Sequence, residues 1–232
     1  MNAINNPDTT KKIFTLHLFF TFFCILCVYG QNDTLSQKII DDMAAKFKTY
    51  PSVSISFSVT VTQLQDNPET VQDGKLWVKG NRYKLEIPDF VIYFDGSKIY
   101  QYFPEAKEVN ISPPDPDENV EDFQLMNPQT WFNLSSKSFK SKLVRESVQN
   151  GRKAYEIDLY PIEVKTARYS HIHIMIEKSA LQLVYLKAFL KDGVQYAVSF
   201  KPFDVFQTAL RDSYFTFNHL EHPNVEVIDL TF

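Results

Sequence analysis

Two histidines one residue apart, in "HIH", are the first side chains to weigh for chemistry in this 232-residue chain. His171 and His173 would share one face of a strand, as two metal ligands must. His219 and His222 could complete a site if the fold brought them close. The same pair alternates with Ile172, Ile174 and Ile176, which more simply marks the wet face of a strand. Asp73 and Asp95 each precede a glycine, the usual place for a turn aspartate. No spacing singles out a catalytic pair among the acidic residues. Gly-X-Ser-X-Gly, the P-loop, the dinucleotide fingerprint and His-Glu-X-X-His are all missing. Six glycines leave little for phosphate cradles. The sequence therefore reads as a non-enzyme with no cofactor and no metal. A metal-dependent hydrolase through His171 and His173 is the enzymatic alternative.

Residues 1–30 read as a signal peptide. Lys11 and Lys12 form a charged start, Ile13 to Val28 is an almost unbroken apolar run, and Gly30 is a small residue suited to cleavage. The run is short for a spanning helix and no basic stop follows it, although a retained anchor is the alternative. Cys24 and Cys27 follow Phe23 and Leu26, not the small residues of a lipidation site. Both cysteines lie in this leader, so the chain from Gln31 has neither disulfides nor thiol chemistry. Removing the leader lowers Lys+Arg from 24 to 22 and Asp+Glu from 28 to 27, so the net charge moves from −4 to −5. An acidic chain is a poor fit to nucleic acid or to anionic lipid surfaces. About 200 residues suffice for one domain held by its own core, here 31–232.

The elements that position these residues follow from hydrophobic periodicity. "TLSQKIIDDMAAKFKTY" (Thr34–Tyr50) has capping-box spacing at Thr34 and Gln37. Its apolar stripe comprises Leu35, Ile39, Ile40, Met43, Ala44 and Phe47, and Pro51 stops it. The period then becomes two. In "VSISFSVTVT" (Val53–Thr62), Val53, Ile55, Phe57, Val59 and Val61 face one way and the Ser and Thr residues face a wet side. Further strands are predicted near Thr70–Lys79, Asn81–Ile87, Phe90–Phe94, Lys98–Phe103 and Lys107–Ser112. The turns between them are too short for crossover helices. "PPDPDEN" (Pro113–Asn119) is a loop. A helical insert follows, carrying Phe123, Leu125, Met126, Trp131, Phe132 and Leu134. Strands return at Phe139–Val148, Lys153–Tyr160, Tyr169–Glu177, Gln182–Leu190, Val194–Pro202 and Val225–Leu230. The expected fold is mainly β with α: one antiparallel sheet of about ten or eleven strands, large enough to curl.

The informative surface is apolar. "FVIYFDGSKIYQYFP" (Phe90–Pro104) holds six aromatic residues around an Asp-Gly turn. Such strands must be covered by the protein's own core, by a partner or by a ligand, and composition alone fits each. The order of motifs is more specific. "GKLWVKGNRYKLEIP" (Gly74–Pro88), "FDGSKIYQYFPEAKEV" (Phe94–Val109) and "FTFNHLEHPNVEVIDL" (Phe215–Leu230) together resemble the periplasmic outer-membrane lipoprotein carrier family, LolA. That family reads Gly-X-Leu-Trp-Val-Lys-Arg-Pro, then Asp-Gly-Lys-X-Leu-Trp-X-Tyr-X-Pro, and closes on Phe-X-Phe, Pro and Val-X-Val-X-Asp. The likeness runs over nearly the whole chain after the leader.

The resemblance implies a half-barrel closed by the N-terminal helix and the mid-chain insert, with a hydrophobic cavity for the acyl chains of a lipoprotein. It implies a monomeric periplasmic carrier loaded by an inner-membrane lipoprotein-releasing transporter and relieved by an outer-membrane acceptor. On this reading the lining comprises Leu76, Val78, Tyr83, Leu85, Ile87, Ile92 and Phe94 from the sheet, with Phe57 and Val59 from the first strand. Ile40, Met43 and Phe47 come from the helix, and Phe123, Met126 and Phe132 from the insert. Core packing is the alternative for each. One departure stands out. The family's Arg-Pro falls here at Gly80-Asn81, and that arginine closes the lid by bonding helix carbonyls; Arg82 is the nearest substitute. A carrier of free lipid, glycolipid or a lipidated pigment intermediate is the alternative cargo reading. A protein-binding sensor or scaffold is a third.

Overall fold

A computed structural model describes residues 34–63, 69–114, 128–132, 134, 136–149 and 151–231. Helix α1 (Thr34–Lys48) leads into β1 (Ser52–Gln63), β2 (Glu69–Lys79), β3 (Arg82–Glu86), β4 (Val91–Phe94), β5 (Ile99–Phe103) and β6 (Glu108–Ser112). A single-turn helix α2 (Pro128–Trp131) precedes β7 (Phe139–Gln149), β8 (Arg152–Pro161), β9 (Tyr169–Glu177), β10 (Gln182–Leu190) and β11 (Val194–Phe200). The chain ends with β12 (Asp204–Phe206), a 3-10 turn (Asp212–Phe215) and β13 (Glu226–Asp229). The leader, Phe123, Leu125 and Met126 lie outside the described residues.

All thirteen strands belong to one curved sheet, in the order β13-β6-β5-β4-β3-β2-β1-β11-β10-β9-β8-β7, with β12 also pairing with β1. Two consecutive meanders, β1–β6 and β7–β11, are joined by the antiparallel pairing of β1 with β11, where Phe57 faces Phe200. The sequence reading of ten or eleven antiparallel strands is corrected in two respects. β12 is an extra three-residue strand, and β13 runs parallel to β6. A long connection from β11 returns the chain to the far edge, so nothing forces the antiparallel sense that a tight hairpin would impose.

Alternation sorts each strand. Ile55 and Phe57 of β1, Leu76 of β2, Leu85 of β3, Ile172 and Ile174 of β9 and Leu186 of β10 meet on the inner face in one continuous buried cluster. Ile39, Ile40 and Met43 of α1 and Trp131, Phe132 and Leu134 of the insert cover that face. The α1 stripe thus buries against the sheet, while Lys38 and Asp42 pair at 2.6 Å on its exposed side. Gln37 donates to Asp41 at 2.9 Å and lies 3.5 Å from the Ser141 hydroxyl. The N-terminal end of α1 is pinned to β7 by the buried contact of Ser36 Oγ with Ser141 Oγ, 2.8 Å.

The Ser/Thr side of β1 is not uniformly wet. Ser52 and Ser54 are buried, because β12 pairs alongside them and the Ser52 hydroxyl accepts the Leu210 N–H at 3.0 Å. The C-terminal segment continues across the outer face of β2–β6. Lys79 Nζ reaches the Leu210 carbonyl at 2.7 Å and Asp212 Oδ1 at 2.6 Å. Tyr214 packs edge-on against Trp77, and Phe217 sits against Tyr93, Tyr102 and His222. The aromatic strands of the Phe90–Pro104 stretch are therefore covered on both sides. Ile92 and Phe94 point into the inner cluster, while Tyr93 packs with Phe217 in a smaller outer one. Burial there, with Glu86 nearby, pushes the Tyr93 hydroxyl up to about 12.

Candidate functional site: an apolar cleft beneath the end of helix α1

The histidines do not converge. His173 Nδ1 lies 2.7 Å from Asp158 Oδ1, and its Nε2 is 3.9 Å from Glu156. His171 stacks on Phe189 with centroids 4.1 Å apart. His222 instead stacks on Phe217 with the C-terminal segment, where His219 also meets Phe217. Among the described residues no three His, Cys, Asp or Glu side chains are grouped to hold a metal ion. Asp95 serves its turn: its carboxylate accepts the Ser97 and Lys98 N–H groups, each at 2.8 Å, and the Tyr100 hydroxyl at 3.1 Å.

The opening that suits an apolar ligand lies on the inner side of the sheet, where α1 ends. It is a cleft of about 440 Å³ lined by Phe47, Lys48, Tyr50, Val53, Val78, Gly80, Asn81, Tyr83, Pro128 and Phe132. Three local features build it. First, α1 stops just before Pro51, and its last residues Phe47 and Lys48 line the same cleft as Gly80 and Asn81 of the β2–β3 turn. Second, the hairpin turns at Gly80, whose φ of +57° suits glycine, and a Cβ placed there would meet nothing within 4 Å. Third, α2 brings Phe132 under the helix, where its ring stacks on Phe47 with centroids 4.2 Å apart and planes at 6°. Phe203 closes the aromatic group edge-on to both rings.

Of the residues proposed from sequence as a lining, Phe47, Val78, Tyr83 and Phe132 border this cleft. Ile40, Met43, Phe57, Leu76, Leu85, Ile92 and Phe94 lie in the packed cluster beside it, and Val59 and Ile87 are partly buried against that cluster. Phe123 and Met126 lie outside the described residues. Sequence reasoning did not select Lys48, Tyr50, Val53, Asn81 or Pro128 as lining. The helix stop at Pro51 was the available signal, because residues flanking the end of a covering helix define the rim of whatever it covers. Arg82 does not take the place of the family's arginine. Its Nε donates to the Asp95 carbonyl at 2.8 Å and its guanidinium lies 3.5 Å from Asp212, both on the outer side.

A larger depression of about 590 Å³ lies at the other half of the sheet, bordered by Arg152, Met175, Glu177, Tyr185 and Lys201. Its carboxylate and cations suit polar contacts better than an acyl chain.

No protein-family model and no curated protein matches the sequence. Solved structures do match the fold. An uncharacterized conserved protein of Thermus thermophilus superposes with a TM-score of 0.53 at 11% identity, covering 84% of this chain and 99% of that one. A LolA superfamily protein of Nitrosomonas europaea matches at a TM-score of 0.41 and 12% identity, over 78% of this chain and 97% of that one. The lipoprotein LppX of Mycobacterium tuberculosis matches at 0.46 and 13%, over 75% and 100%. At such identities the likeness is one of architecture. With α1 and the insert held against the inner face of one curved, almost wholly antiparallel sheet, the chain shares the fold of the Thermus thermophilus protein.

Proposed function

We propose that this protein is an acyl-chain carrier of the bacterial cell envelope, exported by its leader and cleaved near Gly30. The observation that carries the reading is the cleft beneath α1, an apolar opening bordered by Phe47, Val53, Val78, Tyr83 and Phe132. Its volume lies within the usual range of small-ligand sites. Each methylene moved from water into such a site contributes about 0.8 kcal/mol, so binding needs no catalytic group. We read the site as that of a carrier rather than an enzyme. On the pattern that the sequence resembles, the cargo is an acylated lipoprotein. It would be received from an inner-membrane lipoprotein-releasing transporter and yielded to an outer-membrane acceptor with a better site.

A free lipid is the second reading, and two observations favour it. Glycine replaces the family's lid arginine at position 80, and the cleft is small for several chains at once. Mass spectrometry of what co-purifies with the protein from the periplasm separates the two. Peptides with an acylated N-terminal cysteine support lipoprotein carriage, and lipid without such peptides supports the second reading. Protein that is empty and also refuses added lipid would overturn the carrier function.

A further inference from the structure

Among the described residues, Lys48 is the one charged side chain lining the cleft. It lies in the last turn of α1, exposed to solvent, and forms no ion pair among the described residues. Two carbonyls at that helix end are already engaged. The Lys46 carbonyl is taken by the Thr49 N–H at 3.0 Å and the Thr49 hydroxyl at 2.6 Å, and the Phe47 carbonyl by the Tyr50 N–H at 3.2 Å. Tyr50 lines the same cleft. Among the described residues no carboxylate borders it. As far as the described residues go, the site is an apolar slot with one cation at its rim.

The size of the slot limits what enters. A methylene occupies about the volume of a water molecule in the liquid, roughly 30 Å³, so about 440 Å³ holds one chain of about fifteen carbons. Three chains would need about three times that space, with Phe132 and the end of α1 displaced.

Resting on the carrier reading, we infer that the resting cleft is a site for one long-chain fatty carboxylate, its chain beneath Phe47 and Phe132 and its head group beside Lys48. Lys48 sets the selectivity for charge, and the aromatic pair sets the limit of one chain.

The test uses protein recovered from the periplasm and stripped of lipid, titrated below micellar concentrations with palmitate and with hexadecanol, its uncharged counterpart. Palmitate is expected to bind one to one and about fivefold more tightly than hexadecanol, the scale of a partly exposed ion pair. Lys48→Met keeps the apolar stem but should bring palmitate down to the level of hexadecanol. Equal affinities in the wild-type protein overturn the inference while leaving the carrier reading intact. So does a Lys48→Met variant that keeps the preference for palmitate, or a stoichiometry of two or three chains. A lysophospholipid that binds more tightly than palmitate overturns the carboxylate assignment. Failure of both probes to bind overturns the carrier reading itself.

Discussion

Phe132 and Leu85 are both buried and both belong to the inner cluster, yet only Phe132 borders the cleft. Truncating each to alanine therefore separates cleft wall from core. Phe132→Ala removes a ring that touches Phe47, Phe200 and Phe203, with centroids 4.2, 5.9 and 5.8 Å away. Phe→Ala substitutions in cores cost about 3–5 kcal/mol. Here water can enter the space beside the ring, which reduces the cavity cost, so about 3 kcal/mol is expected. Leu85→Ala leaves an enclosed void, and a Leu→Ala change costs about 2–5 kcal/mol, so about 3 kcal/mol again. At about 3 °C per kcal/mol for a domain of this size, each variant should melt roughly 10 °C lower. Their ligand affinities should diverge. Losing the Phe132 face takes away apolar contact equivalent to about two methylenes, or about 1.5 kcal/mol, so palmitate should bind about tenfold more weakly. Leu85→Ala should bind as the wild type does at temperatures where both are folded. Calorimetric melting with fluorescence-displacement titration measures both quantities. Equal loss of affinity in the two variants would refute the assignment of this cleft as the ligand site.

Three further outcomes follow from local geometry. Gly74→Ala should destabilise by about 1–3 kcal/mol in chemical denaturation, because its Cβ would collide with the Phe57 ring that lies across from it on β1; an unchanged midpoint would mean the ring moves aside freely. Gly80→Arg should cost about 1 kcal/mol through the left-handed backbone there. Its side chain would also occupy the open cleft mouth, slowing exchange of a fluorescent fatty acid severalfold in stopped flow; unchanged exchange would place the entry route elsewhere. The third concerns pH. Burial pushes the Glu177 carboxyl up, but bonds from the Ser179 hydroxyl and the Ala180 and Ser179 N–H groups, with the charge of Arg152, bring it below the ordinary glutamate value. A depressed carboxyl stabilises the fold above its unfolded pKa, and the gain is lost as pH falls through the folded value. Wild type should therefore exceed Glu177→Gln by about 1–2 kcal/mol at pH 7, with the gap closing below about pH 4; a gap that persists at pH 2 would rule out this carboxylate as its source.

What the sequence made legible was whatever local periodicity encodes. β1 showed itself by strict alternation, α1 by its stripe and its stop at Pro51, and β4–β5 by an Asp-Gly turn whose Gly96 has φ +96°. Gly74 has a steric reason within the Gly-X-Leu-Trp motif, since it sits across from Phe57. The outer cover was not legible. Ser52 and Ser54 look like solvent-facing serines, and they are buried by a segment some 150 residues further along the chain. Phe215 and Phe217 alternate with too few neighbours to show what they cover, and three-residue β12 is too short for any period to register.

The cleft itself shows why lining residues are harder to read than strands. Tyr83 and Leu85 stand two apart on β3 and face the same side, and both are buried. Alternation cannot tell them apart, and yet one borders the cleft while the other is enclosed. The difference lies in their neighbours: Tyr83 shares the cleft with Phe47, Lys48 and Tyr50 around the end of α1, whereas Leu85 lies within the packed cluster. Pro51 limits how far the helix reaches, Gly80 leaves the facing mouth unfilled, and Phe132 props the last turn through Phe47. Here Arg82 is spent on Asp95 and Asp212 on the outer side. Among the described residues, closure over the cleft rests on aromatic stacking worth about 1 kcal/mol per pair. A ligand chain can displace such a contact at the cost of one or two of its own buried methylenes. Weak closure of this kind would suit the proposed carrier, whose site must both accept and give up its occupant.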